Sequence, residues 1–319
     1  MNQAISAQGL VKRYGAVTAL DGVDISVPTG TVLGLLGPNG AGKTTVVWIL
    51  STLLRPDAGS AEVAGVDVLK NPAGVRRKIG LSGQYAAVDE YLTGFENLEM
   101  IGRLYHLSRK AARVRADDLL ERFNLTDAAQ RIVKTYSGGM RRRLDLAGAL
   151  IVSPPVIFLD EPTTGLDPRS RLGMWDVISE RVRSGTTVML TTQYLEEADQ
   201  LADEVIVIDH GRSIARGTPE ELKKQVGGER LSVTVGNRAE AEVTEQILNE
   251  ITTGPAQVDP ESHQLLAPIT RGSWALVEVV RRLDAAGIEP VDIGIHRASL
   301  DDVFMKLTGQ PLEAEEQTT

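Results

Sequence analysis

The chain has 319 residues, of which 42% are hydrophobic and 24% charged; this excludes collagen, coiled-coil and disordered chains and fits about two globular domains. It has no cysteine and four histidines, so disulfides and thiol catalysis are excluded and any metal should have oxygen ligands. A formal net charge of −9 argues against a surface that binds nucleic acid throughout. Without an apolar run of about 18 residues or a signal-type N-terminus, we expect a chain that neither crosses a membrane nor is exported.

Short apolar runs alternate with longer amphipathic segments through residues 1–222, which is the pattern of parallel strands joined by crossover helices. In the region of about 87–153, Ala-, Arg- and Leu-rich stretches with helical spacing, such as Arg109–Phe123, replace the strand signal. The sequence therefore predicts an α/β domain with a helical insertion. Buried strands are predicted at Val32–Leu36, Val156–Leu159, Thr187–Leu190 and Val205–Ile208.

The charge balance changes after residue 222, because the net charge is −2 before that point and −7 after it. A linker is predicted at 223–230, where Gly227 and Gly228 break the pattern, and an acidic tail at 309–319. Residues 231–308 read as an α+β accessory domain of βαββαβ, ferredoxin-like order. Its elements are predicted at Leu231–Val235, Ala239–Ile251, Gln257–Val258, Gln264–Ala267, Trp274–Ala286 and Pro290–Ile295.

A glycine-rich loop directly follows the predicted strand Val32–Leu36 and begins a helix that we expect to continue to Leu53. The loop fits the pattern G-x-x-x-x-G-K-[ST], in which backbone N–H groups surround phosphate oxygens at a helix N-terminus. Its lysine, Lys43, would reach the β- and γ-phosphates, and the Thr44 hydroxyl would bind Mg²⁺. The loop consists of Gly37, Pro38, Asn39, Gly40, Ala41, Gly42, Lys43 and Thr44.

Two carboxylates follow the apolar strand Val156–Leu159, at the edge of a sheet where α/β proteins bind their ligands. Asp160 suits a Mg²⁺ role, and Glu161 suits a base that polarises the attacking water. Together with the phosphate loop, they indicate hydrolysis of a nucleoside triphosphate. A kinase, a GTPase and a helicase-like motor all remain compatible with these two motifs.

A second phosphate-type helix end distinguishes between these classes. Ser137, Gly138 and Gly139 precede a helix rich in Arg and Leu, so they can present a hydroxyl and N–H groups to phosphate. One chain cannot easily place two such ends on one γ-phosphate. We therefore expect a symmetric pair of chains in which each supplies this loop to the other.

In this order, the motifs resemble those of the ATP-binding cassette (ABC) family, from Ile5 to about Leu222. The resemblance implies a P-loop NTPase fold and a head-to-tail homodimer that encloses two ATP molecules. It assigns adenine stacking to Tyr14, the Q loop to Gln84 and the D loop to Asp167. The resemblance further implies ATP contacts by Tyr14, Gln84, Thr45 and the residues from Gly37 to Thr44. It implies that the second chain supplies a signature loop of Ser137, Gly138, Gly139 and Met140. It also implies Mg²⁺ contacts by Thr44, Gln84 and Asp160, and catalytic roles for Glu161, Gln193 and Lys43.

Gln193 stands where most members of that family have histidine. Its amide can donate a hydrogen bond to the γ-phosphate but cannot take up a proton at neutral pH, which leaves Glu161 as the base. This glutamine is typical of the daunorubicin-resistance subfamily, which the chain resembles over its whole length. The resemblance rests on the stretches around Gln84, Lys134–Arg143, Thr191–Leu195 and Ser299–Phe304. Arg141, Arg142 and Arg143 are expected on a solvated helix face or facing nucleotide across the dimer.

The resemblance implies the ATP-hydrolysing subunit of an exporter for a drug, an antibiotic or another hydrophobic compound. Its expected partners are a second copy and a separate ABC-2-type membrane permease, at the cytoplasmic face of the membrane, with no nucleic acid. The helical region Phe95–Tyr105 and Gln84 are the expected relay to the permease. Two alternatives stay open: a lipid or polysaccharide exporter, and a soluble ABC ATPase acting on nucleic acid or ribosomes.

Overall fold

The structure is a computed structural model that describes residues 2–84, 87–225, 229–260, 262–270, 272–297 and 299–308. These residues form two compact units that divide between Pro219 and Glu220, here called the N-terminal and C-terminal units. Within the described residues, no helix combines the length and apolar character needed to span a bilayer.

The N-terminal unit contains two sheets and a group of helices. Its strands are β1 (Gln3–Tyr14), β2 (Val17–Pro28), β3 (Val32–Leu36), β4 (Ala58–Val63), β5 (Val66–Asp67), β6 (Ile79–Ser82), β7 (Val156–Asp160), β8 (Thr187–Thr192), β9 (Glu204–Asp209) and β10 (Arg212–Gly217). Its helices are α1 (Lys43–Leu50), α2 (Pro72–Arg76), α3 (Gly94–Leu104), α4 (Arg109–Arg122), α5 (Gly138–Ala149), α6 (Pro168–Arg183) and α7 (Leu195–Leu201); α8 (Pro219–Gln225) crosses the boundary.

The larger sheet has the order β10-β9-β3-β8-β7-β6, and only the β9–β10 pair is antiparallel. Every residue of β3, β7 and β8 is buried, as expected for strands covered on both faces. The strand register places Leu36 beside Thr192 and Asp160 beside Thr191. The loops that follow β3, β7 and β8 therefore leave the sheet at one edge.

The smaller sheet is antiparallel, with the order β2-β1-β4-β5. No strand was predicted before Val32, although β1 and β2 each extend over 12 residues. Several register shifts interrupt their pairing, so the alternation of polar and apolar residues is irregular. One face packs into the core beneath α1 through Ile5, Leu20 and Ile25.

The predicted strands and helices are present, with corrected ends. The strands that begin at Val156 and Thr187 include the polar residues Asp160 and Thr192, because ladder pairing continues through them. Helix α1 ends at Leu50, so the predicted end at Leu53 is wrong; Thr52 has a left-handed φ of 68°, which a continuing helix does not allow. Between β6 and β7, the chain forms α3, α4 and α5.

In the described residues, the C-terminal unit is a four-stranded antiparallel sheet with two helices packed on it and a third helix that ends at Thr308. Its elements are β11 (Glu229–Thr234), α9 (Arg238–Ile251), β12 (Gln257–Asp259), β13 (Gln264–Ile269), α10 (Gly272–Ala285), β14 (Asp292–Arg297) and α11 (Leu300–Thr308). The sheet order is β12-β13-β11-β14. Of the predicted linker, residues 223–225 belong to α8 and 229–230 to β11, while 226–228 lie outside the described residues, as does the predicted tail 309–319.

Candidate nucleotide-binding site

The glycine-rich loop joins the central strand β3 to the N-terminus of α1 and lies close to its neighbours. A Cβ atom added at Gly37 would lie 2.2 Å from the carbonyl oxygen of Ile208, and one at Gly42 would lie 2.5 Å from that of Ala19. Gly42 caps α1 with a φ of 110°, a conformation that costs a residue with a side chain. Steric reasons alone therefore require glycine at both positions. The first N–H groups of α1 have no acceptor within the helix, which makes this helix end a suitable anion-binding site.

Lys43, the first residue of α1, folds back over this loop. Its Nζ donates hydrogen bonds to the carbonyl oxygens of Gly37, at 2.6 Å, and Pro38, at 3.1 Å. Burial lowers the pKa of Lys43, and the negative charges of Glu161 and Asp160 oppose this shift. A buried ammonium held by carbonyl groups is suited to an anionic ligand that supplies the missing countercharge.

Asp160 ends β7 beside the glycine-rich loop, so the two predicted motifs meet in space. Its Oδ1 accepts hydrogen bonds from the hydroxyls of Thr44, at 3.2 Å, and Thr191, at 2.5 Å. Its Oδ2 is buried and has no hydrogen-bond partner among the described residues. A hydroxyl next to a free carboxylate oxygen is a suitable part of a Mg²⁺ site completed by phosphates and water. No cluster of three or more His, Cys, Asp or Glu that could hold a metal by itself occurs in the described ranges.

Glu161 has an unusual backbone conformation immediately after β7. Its φ is 51°, in the left-handed region that non-glycine residues seldom adopt. Its N–H is held by Thr191, donating to the carbonyl oxygen at 3.0 Å and the hydroxyl at 3.2 Å, and its Oε2 accepts from the Thr164 hydroxyl at 3.4 Å. Such strain costs about 1–3 kcal/mol and persists where the surrounding structure enforces it, which is common at active sites.

Three other predicted residues lie on segments that reach the same region. Tyr14 is 45% exposed at the end of β1 and pairs with Val17, in the hairpin whose Ala19 closely approaches Gly42. Gln84 is exposed just after β6, which pairs with β7. Gln193 is half-buried and directly follows β8. In the glycine-rich loop, Asn39 and Gly40 are exposed and Ala41 is buried. Thr45, which follows the loop in α1, is also buried.

The serine–glycine loop forms an exposed helix N-terminus. Ser137 is the N-cap of α5, and its Oγ accepts a hydrogen bond from the N–H of Met140 at 3.3 Å. Ser137 and Gly138 are exposed, and Gly139 and Met140 are half-buried.

Asp167 has a local role as the N-cap of α6, where hydrogen bonds from the Ser170 hydroxyl and N–H lower its pKa.

The interpretation of the three arginines of α5 as a solvated or nucleotide-facing group is wrong for Arg142. This side chain is 7% exposed, and its guanidinium donates to the carbonyl oxygens of Asp160, at 2.6 Å, Glu161, at 2.7 Å, and Pro162, at 2.9 Å, and also to that of Gly83. Arg142 points inwards because these carbonyls are available to its five donors. Its neighbours Arg141 and Arg143 are only half-buried.

Asp145, one turn after Arg142, is a second buried charge that the sequence analysis missed. It accepts hydrogen bonds from the Ser82 hydroxyl at 2.5 Å and from the N–H of Ala87 at 2.7 Å. Burial raises its pKa, while these two bonds and the charge of Arg142 oppose the shift. The only sequence signal was its position between Leu144 and Leu146 on a helix whose middle is buried.

Glu197 is a third buried group, on α7 just after the segment that contains Gln193. It is fully buried, and its Oε1 accepts a hydrogen bond from the indole Nε1–H of Trp175 at 3.2 Å. Burial raises its pKa, and the hydrogen bond from Trp175 is among the interactions that oppose this shift. Its acid group therefore stays protonated to a higher pH in the folded protein than in the unfolded chain.

We expect Glu197→Gln to flatten the pH dependence of stability. Because the folded pKa is raised, the native state binds more protons than the unfolded state above the ordinary pKa of about 4.3. The stabilisation that Glu197 contributes is therefore fully present below the pKa of the unfolded chain, and it is lost as pH rises through the pKa of Glu197 in the folded protein. Urea unfolding between about pH 4 and 8 should show the wild type losing stability relative to the variant. Glu196→Gln, on the exposed side of α7, controls for the change in net charge. If the free energies of unfolding of the wild type and Glu197→Gln changed in parallel with pH, the prediction would be contradicted.

The chain is similar to known proteins over nearly its whole length. A family model described as ABC transporter matches residues 20–164. The chain is 56% identical over 310 residues to the daunorubicin resistance ATP-binding protein DrrA2 of Streptomyces coeruleorubidus, covering 97% of this chain and 96% of that one. It is 50% identical to the doxorubicin resistance ATP-binding protein DrrA of Mycobacterium tuberculosis, covering 98% and 96%.

Solved structures agree on the fold. An ATP-binding subunit of an ABC transporter superposes with a TM-score of 0.65 and 28% identity, covering 70% of this chain and 93% of that one. A dimeric bacterial ABC transporter cassette gives 0.63 and 25%, covering 67% and 98%. The glycine-rich loop, the strand-end carboxylates and the exposed serine–glycine helix end therefore lie on an ATP-binding scaffold that hydrolyses ATP. The chain belongs to the ABC transporter family of ATP-binding proteins, in the group that contains the daunorubicin and doxorubicin resistance proteins.

Proposed function

We propose that this protein is the ATPase that drives an exporter of a drug, antibiotic or similar hydrophobic compound through a separate membrane permease. The observation that carries the proposal is the meeting of Lys43, Thr44, Asp160 and Glu161 at one sheet edge, in a chain that matches resistance proteins along nearly its full length. The alternative of action on nucleic acid or ribosomes has no such support, and the net charge of −9 disfavours it.

The ATP phosphates would bind the N–H groups of the glycine-rich loop and the Lys43 ammonium, which would exchange its carbonyl partners for phosphate oxygens. The Thr44 hydroxyl and the unpartnered Oδ2 of Asp160 fit a Mg²⁺ ion, and Gln84 is its third predicted contact. When bound, this ion would neutralise charge on the β- and γ-phosphates. Tyr14 would stack on adenine with its exposed ring.

Glu161 would orient and polarise the attacking water through its carboxylate. The Thr191 contacts hold the backbone of Glu161, and the Thr164 hydroxyl donates to its Oε2. Gln193 would donate its amide N–H to the γ-phosphate. Lys43 would stabilise the negative charge of the transition state. The reaction consumes one water and gives ADP and phosphate, without a covalent intermediate on the protein.

The second helix end implies a dimer. Ser137 and Gly138 are exposed at the N-terminus of α5, where N–H groups and the helix dipole favour an anion. We propose that they contact the γ-phosphate bound to a second copy, with Gly139 and Met140 beside them and Asp167 at the same interface. Two copies arranged head to tail would then enclose two ATP molecules, and hydrolysis would release them.

The expected membrane partner is an ABC-2-type permease, with this subunit bound at the cytoplasmic face of the membrane. Gln84 and the α3 region 95–105 are the proposed relay to that partner. We propose that the C-terminal unit, with its element order βαββαβ, is a ferredoxin-like accessory domain that would strengthen the dimer. The predicted domains remain part of this proposal: an ATP-binding domain to 222 and an accessory domain at 231–308, joined by the segment 223–230, of which the structure assigns 223–225 to α8 and 229–230 to β11.

Export of another compound is the second candidate. A Nod factor export ATP-binding protein of Ralstonia nicotianae is 38% identical over 309 residues, so this group of relatives is not confined to drug resistance. A lipid or polysaccharide exporter would use the same ATPase, because the substrate pathway belongs to the permease.

The test is an efflux assay in cells that express the chain together with a candidate ABC-2-type permease. Doxorubicin accumulation should fall relative to cells that carry the same pair with Glu161→Gln, which retains the fold and the partner. Equal accumulation with both pairs, while the purified wild-type chain hydrolyses ATP, would reject drug export and favour the second candidate.

A further inference from the structure

Helix α5 connects the exposed serine–glycine end to the interior of the ATP site of the same chain. Ser137 caps its N-terminus, and Arg142 lies five residues later, about 7.5 Å along the helix axis. Over this distance, a hydrogen-bonded helix moves as one rigid element. A displacement of the exposed end would therefore carry the Arg142 side chain with it.

Arg142 holds the catalytic segment by its backbone. Its Nη2 donates to the carbonyl oxygens of Asp160 and Glu161, and its Nε donates to that of Pro162. These three residues are consecutive and include the strained Glu161. Since a guanidinium is planar and its donors have fixed directions, a shift of α5 would move these carbonyls or break the bonds.

The same helix holds both ends of the Q loop. The Nη1 of Arg142 donates to the Gly83 carbonyl oxygen, and Asp145 binds Ser82 before the loop and Ala87 after it. Gln84 lies between these anchors. Arg142 and Asp145 also approach each other, with Nη1 and Oδ2 3.8 Å apart. The loop that we propose to contact Mg²⁺ is therefore fixed to α5 at both ends.

Burying two charges at this place is costly, and it needs a compensating reason. Burial lowers the pKa of Arg142 and raises that of Asp145, so both ionised forms lose hydration. Apolar residues of similar volume would pack a helix onto this sheet at least as well. The hydrogen bonds made by the pair instead go to the two segments that surround the nucleotide.

We propose that Arg142 and Asp145 are positioning residues that couple the two nucleotide sites of the dimer. The proposal rests on the head-to-tail dimer of the proposed function. When Ser137 engages ATP on the second copy, α5 would be fixed, and Arg142 and Asp145 would fix Glu161 and the Q loop of their own chain. ATP in one site thus prepares the catalytic residues of the other, which makes closure of the two sites cooperative.

The test uses the Glu161→Gln background, in which bound ATP is not consumed. Arg142→Met, which keeps the length and loses the donors, should raise the ATP concentration for half-maximal dimer formation about tenfold or more. Asp145→Asn, which keeps the shape, should raise it less. The same two substitutions are then made in the Ser137→Asp background, which should remain monomeric. There, Arg142→Met and Asp145→Asn should each change ATP affinity less than about twofold, because no second site is present to be coupled. General damage to the fold would instead lower the ATP affinity of the monomer as well.

Arg143→Met is the matched control, because Arg143 also lies on α5 but donates to the Phe123 carbonyl. It should leave the dimerisation midpoint unchanged. An unchanged midpoint in Arg142→Met would overturn the coupling while the dimer itself stood. If Glu161→Gln alone formed no dimer with ATP, the proposed dimer and the coupling would both fail.

Discussion

Replacing Glu161 with glutamine should lower kcat for ATP hydrolysis by about 10²- to 10⁴-fold while ATP still binds. The amide has the shape of the carboxylate and can still accept from the Thr164 hydroxyl, but it cannot polarise water as a base. The Thr191 contacts go to the backbone of Glu161, so the substitution leaves them in place. Phosphate release under saturating ATP, with ATP affinity measured in parallel, checks both parts.

Glu161→Gln should also accumulate as a dimer when ATP is added, because closure would no longer be followed by hydrolysis. Mass measured in solution with and without ATP should double only in the nucleotide-bound sample. A monomer that binds ATP and never pairs, at any protein concentration tested, would contradict the two-chain site.

Ser137→Asp in that background separates the site from the helix cap. Aspartate caps a helix as well as serine does, so α5 should keep its stability. Its negative charge would meet the γ-phosphate of the second copy, so the ATP-dependent dimer should be lost. Ser108→Asp is the matched control, since Ser108 is an exposed N-cap of α4 with the same type of bond, to the N–H of Ala111. It should dimerise like the parent.

The parts of the site that the sequence predicts are those formed by local order along the chain. Lys43 and Asp160 each follow an apolar strand, and parallel strands bring their carboxyl ends to one edge of the sheet. The glycine-rich loop after β3 then brings Thr44, at the start of α1, within hydrogen-bond distance of Asp160. No side-chain detail was needed to expect this meeting.

The parts that sequence reasoning misses depend on partners distant in the chain. Three adjacent arginines normally indicate a solvated surface, and only the carbonyls of the segment after β7 give Arg142 a reason to be buried. Asp145 is similar, because its partners Ser82 and Ala87 come from another part of the chain. The β1–β2 pair was missed for a different reason: bulges break the two-residue period that identifies a strand.

Lys43→Met should reduce ATP affinity by about 10²-fold or more, with little change in the stability of the nucleotide-free protein. Two charge-assisted hydrogen bonds to phosphate are worth about 1.5–3 kcal/mol each, and methionine can make neither. Without nucleotide, the lysine makes two bonds to carbonyls and bears the cost of burial, so these contributions largely offset each other. Titration with ATP and urea unfolding of the free protein check the two halves.

The pH dependence of ATP binding is an independent test of the role of Lys43. Because burial lowers the pKa of Lys43, ATP affinity should start to fall at a lower pH than an exposed lysine would impose. The unfolded chain binds more protons than the folded one between the lowered pKa and about 10.4, so the free energy of unfolding rises with pH there. Lys43→Met should remove both effects. Arg13→Met, which removes one exposed cation on β1, is the control for net charge. If the ATP affinity of the wild type stayed constant as pH rose to about 10, the proposed role of the Lys43 ammonium would be contradicted.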